Sequence, residues 1–380
     1  MKSFRQIGVR RQADFKAVRE LSSVALAWAY EFWLTSQFRI QYCHEERSFA
    51  EINKSMMFGA TITLLLVLAA FFGPGIAGAQ GPTQKLSISM SSTGMPSIQL
   101  FIAREKNFFR EEGFDPQLIR MSANAAIAAG VAGELDALGS VGSAVRAIMR
   151  GVPLRVVSVD LRRPIFWLVS RGEFRAAKDL KGKALGIATI NGSQHSAARK
   201  MLAIHGVDSD KELTFVQVGD ESSQLQAMVS NSIQVAALTP PYVFLARDKF
   251  KMNVLESSID KFPSIQQGIG VQVKVFQEQP DWLRKLLRVK AKATRFFHEN
   301  EKETADLLAR VWKSDVATAT EWYRRCKPAF TPAGIPTDEE IKEFLAEEAQ
   351  VLKLAEAVPA TKIFDFSLQR AVNRELGIKG

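Results

Sequence analysis

Four polar stretches combine hydroxyl and amide side chains with residues that start helices: Ser91-Ser92-Thr93-Gly94, Ser140 to Ser143, Asn191-Gly192-Ser193-Gln194 and Thr239-Pro240-Pro241-Tyr242. The chemistry on offer is neutral hydrogen bonding. A helix start adds unpaired backbone N–H groups and partial positive charge, which together hold an anion or a polar ligand group. The candidate ligand contacts are therefore Ser91, Ser92, Thr93, Ser140, Ser143, Asn191, Ser193 and Gln194, with Pro241 and Tyr242 where a tyrosine ring could stack on a planar solute. The same residue types serve as ordinary helix caps, and Tyr242 equally reads as a packing residue.

Covalent and metal chemistry finds less support. His44, His195, His205 and His298 are scattered, and Cys43 and Cys326 lack metal-site spacing to them. No Ser–His–Asp or paired-carboxylate arrangement stands out. The expectation is a site with no catalytic residue, no metal and no cofactor. His195, in a first helical turn, reads as a surface residue. Arg162 and Arg163 read as a solvated pair, the alternative being recognition of a sulfonate or carboxylate from a cleft.

The elements that position these stretches alternate strand and helix with short connections. Leu86 to Met90, Pro116 to Met121, Leu135 to Gly139 and Leu154 to Val159 read as strands, with helices between them stopped by Gly113, Gly133 and Gly151. A second series follows Ile165 to Ser170: strands at 184–189, 214–218 and 235–238, with helices at 194–205, 221–230 and 241–249. This pattern predicts α/β architecture with mostly parallel sheets. Ala132 to Leu138 and Ser230 to Ala236 echo each other as a helix end turning into a short strand, so the two series predict two related lobes. From Gly268 the pattern changes to a strand at 271–276, then helices from Pro280 and over 301–312, 315–326 and 338–355. Crossovers between lobes are expected near Val169–Arg171 and Gly268–Val271, giving one lobe of 85–168 with 271–380 and another of 171–268.

The formal net charge of +10 divides into +3 over residues 1–55 and +7 over 80–380, with no charge in 56–79. That charge is spread among helices, which argues against a nucleic-acid partner. Lys54, the apolar run Phe58 to Phe72, and Ala77-Gly78-Ala79 predict a signal peptide over 56–79 cleaved before Gln80, in an exported, periplasmic chain. Residues 1–55 are expected to be a non-native or disordered extension, with translation starting at Met56 or Met57.

In this order, Ala103-Arg104-Glu105-Lys106-Asn107-Phe108-Phe109-Arg110-Glu111-Glu112-Gly113-Phe114-Asp115, Ala132-Gly133-Glu134-Leu135-Asp136-Ala137, Arg150-Gly151-Val152-Pro153-Leu154-Arg155-Val156-Val157, Asp179-Leu180-Lys181-Gly182-Lys183, the 191–193 loop and Pro240-Pro241 carry a resemblance. The chain resembles the periplasmic substrate-binding proteins of ABC importers, in the superfamily of alkanesulfonate-, taurine- and nitrate-binding proteins and thiamine-pyrimidine-synthase-like proteins. The departure is Asn231-Ser232-Ile233-Gln234, where the family has Gly-x-Val-Asp. The resemblance implies a two-lobed, type II-like α/β fold with two crossover strands and a helical C-terminal segment, closing by hinge motion on a small solute. It also implies a monomer that delivers an anionic or planar organic solute to a permease and ATPase pair. Sulfonates, nitrate-like anions, aromatic acids and pyrimidines stay open as ligands. The alternatives are a pyrimidine-synthase-like enzyme and a ligand-sensing lobe of a membrane receptor. The enzymes of that family use a cysteine-rich motif, which a chain left with Cys326 alone does not carry.

Overall fold

The computed structural model describes residues 83–90, 92–259 and 261–379. The extension expected over 1–55, the signal peptide expected over 56–79 and Ser91 lie outside the described residues. Apolar runs of strand length build two sheets. The first holds β1 (Gln84–Met90), β2 (Phe114–Arg120), β3 (Ala137–Leu138), β4 (Leu154–Val159) and β10 (Gly268–Gln272). The second holds β5 (Trp167–Ser170), β6 (Ala184–Ile187), β7 (Thr214–Gln217), β8 (Val235–Leu238) and β9 (Asn253–Ser257).

Strand order is β2-β1-β3-β10-β4 in one sheet and β7-β6-β8-β5-β9 in the other. In each, the first strand of a series pairs in parallel with the second and third. The strand that arrives from the other sheet then inserts antiparallel before the fourth, β10 in the first case and β5 in the second. The two series are thus topological copies, as the echo between 132–138 and 230–236 anticipates. The crossings differ from expectation by a few residues. Chain passes between the sheets at 160–166 and 258–267, and Val169–Arg171 and Gly268–Val271 already lie in or against sheet. The strand expected at 271–276 is also displaced: β10 ends at Gln272, and Val273–Glu278 turns into a short helix with no buried residue. β9 falls where no strand was expected.

The longer helices are α1 (Ile98–Glu105), α2 (Ala123–Ala132), α3 (Val141–Met149), α4 (Ser193–Ile204), α5 (Glu221–Val229), α6 (Pro280–Glu299), α7 (Glu301–Trp312), α8 (Val316–Cys326), α9 (Asp338–Val351) and α10 (Ser367–Glu375). Several start at a side-chain cap or a proline: Ser122 Oγ accepts from Ala125 N, Asp220 Oδ1 from Ser223 N, and Pro280 opens α6. In α6 the stripe Leu283, Leu286 and Leu287 is fully buried, about 1.5–3 kcal/mol per side chain of transfer free energy. None of the described helices is long and apolar enough to cross a membrane.

The C-terminal helices do more than cover the first sheet. Phe364 bridges β4 at Val156, while Trp322 meets Trp167 edge-on with centroids 5.0 Å apart and packs on Phe244. The side of the molecule behind the two crossings is therefore a continuous apolar core. A buried ion pair pins the first crossing to it, Lys290 Nζ to Asp160 Oδ2 at 2.7 Å. With its amide nitrogen facing Asp160, Gln99 donates to the same carboxylate at 2.6 and 3.1 Å.

Candidate functional site

Parallel β-strands leave their carboxyl ends facing helix N-termini, and open α/β sheets bind ligands there. Here the two sheets aim those ends at each other. A cavity of about 300 Å³ lies between them, lined from the first lobe by Ser92, Pro96, Arg120, Met121, Ser122, Ala123, Ser140 and Ser143, and from the second by Ala188, Thr189, Gly192, Ser193, Gln194, Gly219, Asp220, Glu221 and Ser223. Phe166, Gln266 and Gln267 of the two crossings complete the wall. The starts of α2, α3, α4 and α5 all converge on it, each with first-turn N–H groups that lack an intrahelical acceptor.

The lobes touch directly around this cavity. Met95 N donates to Pro240 O at 2.9 Å, and the Thr93 and Tyr242 hydroxyls lie 3.0 Å apart. Arg120 pairs with Asp220 across the gap, and Arg146 donates to the Asn191 carbonyl. Gly94 is needed at this seam, because a Cβ there would sit 2.4 Å from Pro240 O. These contacts describe a closed cleft.

Of the sequence-predicted residues, Ser92, Ser140, Ser143, Ser193 and Gln194 line the cavity, and Thr93, Asn191, Pro241 and Tyr242 do not. The Ser140, Ser143 and Ser193 hydroxyls have no hydrogen-bond partner among the described residues. Ser92 Oγ instead accepts from Gly94 N at 3.0 Å. Gln194 is fully engaged: its oxygen accepts from Ala188 N at 2.7 Å, and its amide donates to Ala237 O and to Gln224. It therefore holds two strand-end loops of the second lobe together. Thr93 and Tyr242 spend their hydroxyls on each other, Pro241 follows a cis Pro240–Pro241 bond beside them, and Ser91 lies outside the described residues.

Asn191 adopts a left-handed conformation, φ 59°, and turns its carbonyl to Arg146, away from the cavity. Arg146 in turn makes a buried two-point pair with Glu348 of α9. His195 is buried rather than superficial. Its Nδ1 accepts from Asn191 N at 2.9 Å, its ring meets Phe215 edge-on, and burial, then Arg199, holds its pKa below the usual histidine value. Arg162 and Arg163 lie beside Glu340, away from the cavity.

The charged residues of the cleft are ones the sequence reading passed over: Arg120, Asp220 and Glu221. They follow the same rule as the serine loops, since β2 ends at Arg120 and Gly219-Asp220-Glu221 links β7 to α5. Glu221 is 7% exposed, and its Oε2 accepts from Thr239 N at 3.0 Å and Thr239 Oγ1 at 2.7 Å. Desolvation outweighs those bonds and pushes its pKa up to about 7. Asp220 behaves oppositely: against its own desolvation, bonds from Ser223 and Ser222 and the Arg120 charge hold it below the usual aspartate value. Gln266 and Gln267, in an irregular crossing, have no local sequence signal.

A larger groove of about 710 Å³ runs outside the cleft between α4 and α9. Its charges largely satisfy one another, Arg199 with Asp210 and Lys200 with Glu347, so the cleft is the better binding site. No group of His, Cys, Asp and Glu among the described residues could hold a metal.

The fold is similar to several solved structures. A protein from Bordetella bronchiseptica RB50 shares 18% identity at TM-score 0.67, over 77% of this chain and 98% of that one. The alkanesulfonate-binding protein SsuA from Xanthomonas axonopodis pv. citri, bound to MOPS, shares 14% at TM-score 0.61, over 76% and 100%. The periplasmic nitrate-binding protein NrtA from Synechocystis PCC 6803 shares 14% at TM-score 0.60, over 78% and 90%. These likenesses make the fold that of the periplasmic binding proteins, two-lobed and α/β. No curated protein sequence matches significantly. The NMT1/THI5-like family model matches residues 96–304, more than half of the chain, and the chain belongs to that family.

Proposed function

We propose that this chain is an extracytoplasmic solute-binding protein, which captures a small organic solute between its lobes and delivers it to an ABC permease and ATPase. The observation that carries this reading is the closed interlobe cavity, walled by four helix starts and by serine hydroxyls with no partner among the described residues. A volume of about 300 Å³ suits a small metabolite and sits at the lower edge of ligand-pocket sizes. Lobe membership of 85–168 with 271–380, and of 171–268, belongs to the same reading and is supported by the two sheets. Export through the leader at 56–79 and action as a monomer complete it.

A non-enzymatic role is supported by the lining itself, in which no cysteine, histidine or lysine appears among the described residues. Glu221, with a pKa of about 7, accepts hydrogen bonds from Thr239 and from no serine hydroxyl of the lining, so no base-activated serine is assembled among the described residues. The test is a thermal-shift screen of sulfonates, nitrate, aromatic acids and nitrogen heterocycles against the wild-type chain and Ser140→Trp, whose indole fills the cavity. A ligand at 100 times its dissociation constant adds about 2.7 kcal/mol to the wild type and nothing to the variant. A hit that binds both equally removes the cleft from consideration, and turnover of any hit would make the protein an enzyme.

A further inference from the structure

We infer that the solute held in this cleft presents a nitrogen N–H donor, cationic or neutral, to Glu221, and does not enter as a simple anion. The inference rests on the cleft reading above and adds the ligand class.

Among the described residues three charged side chains line the cavity: Arg120, Asp220 and Glu221. The cation among them is already paired. Arg120 faces Asp220 across the lobes, and the other Asp220 oxygen takes the Ser222 hydroxyl at 2.7 Å and Ser223 N at 2.9 Å. An incoming anion would have to share Arg120 with Asp220 and sit close to two carboxyl groups. Glu221 supplies the opposite chemistry. Both Thr239 bonds arrive at Oε2, so Oε1 of this nearly buried carboxyl has no donor among the described residues while the residue lines the cavity. That oxygen is not sealed from the cavity, and a ligand N–H that reaches it makes a charge-assisted hydrogen bond that holds Glu221 ionised.

The remainder of the wall is polarised the other way. Helix starts normally favour anions, but that of α5 is already occupied by Asp220 and Glu221, and that of α2 is capped by Ser122. Those of α3 and α4 remain, with the free hydroxyls of Ser140, Ser143 and Ser193 beside them. The cleft thus has an oxygen-holding side and a nitrogen-holding side. The solute class is a small bifunctional molecule, with oxygen acceptors at one end and an amine, amidine or amino-heterocycle nitrogen at the other.

Matched probe pairs test this by titration calorimetry: ethanesulfonate against 2-aminoethanesulfonate, and benzoate against 4-amidinobenzoate. The nitrogen-bearing member of at least one pair is expected to bind the wild type tenfold or more tighter than its partner. Glu221→Gln, which keeps an oxygen for Thr239 but removes the charge, should lower that preference by at least ~10-fold. Ser140→Trp should abolish binding of both members. No nitrogen preference in the wild type, a preference that survives in Glu221→Gln, or silence from all four probes overturns the inference. Probe binding that persists in Ser140→Trp overturns the cleft reading instead, so the two failures are distinct.

Discussion

Glu221→Gln has a consequence in the unliganded chain that follows from burial alone. Desolvation raises the folded-state pKa of Glu221 from 4.5 to about 7, against the opposing bonds from Thr239 and with a small further rise from Asp220. Between these values the folded chain holds a proton that the unfolded chain has released. The stabilising contribution of the group is therefore complete below pH 4.5 and is lost as pH rises through 7. At about 1.4 kcal/mol per pH unit, that interval caps the loss at about 3 kcal/mol. The N-terminus of α5 and residual water in the cavity reduce it, so about 1–2 kcal/mol is expected. Glutamine keeps an oxygen for Thr239 and never ionises. Its melting temperature should match the wild type near pH 4.5 and exceed it by roughly 2–8 °C at pH 8, at about 2–4 °C per kcal/mol. The other ionisable groups near Glu221 are Asp220, held below the usual aspartate value, Arg120, and the Tyr242 hydroxyl, whose pKa burial raises. Differential scanning calorimetry at half-unit steps measures the effect. Parallel melting curves for the two proteins from pH 5 to 8 would refute the reasoning.

Three further outcomes are expected. Lys290→Met leaves Asp160 buried with Gln99 as its remaining donor and should cost about 3–5 kcal/mol in urea unfolding; a loss under 1 kcal/mol would show that the pair carries no weight. Gly94→Ala places a methyl 2.4 Å from Pro240 O, so it should favour an open molecule, seen as a larger radius of gyration by X-ray scattering, with solute affinity down at least ~10-fold while urea stability changes by less than about 1 kcal/mol. Cys326 is fully buried and its thiol is pushed well above the usual cysteine value, chiefly by desolvation; a disulfide reagent should label it only as urea unfolds the chain, and rapid labelling of the native protein would contradict this packing.

Much of the architecture was legible because it rests on local pattern. Leu86 to Met90 alternates apolar and polar, and Leu154 to Val159 and Val235 to Leu238 are mostly apolar stretches of strand length; each is a strand whose apolar side chains are buried. The failures sit where one local pattern serves two structures. Val273-Lys274-Val275-Phe276 alternates like a strand, yet it forms a short helix with no buried residue, while Gly268-Ile269-Gly270-Val271 looks too glycine-rich for a strand and is one. Glycine is required there because a Cβ at Gly268 would lie 2.0 Å from Ser158 O. That crowding comes from β4, more than a hundred residues earlier, and leaves no mark nearby.

The site divides along the same line. The amino-acid sequence by itself determined the two α/β series, their order and the helix-start loops after several strands, because capping and hydrophobic period are near-neighbour physics. It did not distinguish Ser140, Ser143 and Ser193, which line the cavity, from Thr93 and Tyr242, which satisfy each other across the seam. Only the tertiary structure decided that Arg120 and Asp220, one hundred residues apart, pair with each other, and that the neighbouring Glu221 is left nearly buried in the cleft wall with Thr239 on one oxygen alone. The physical reason is that charge and burial depend on which loops of two separate sheets meet, and closure of the lobes sets that.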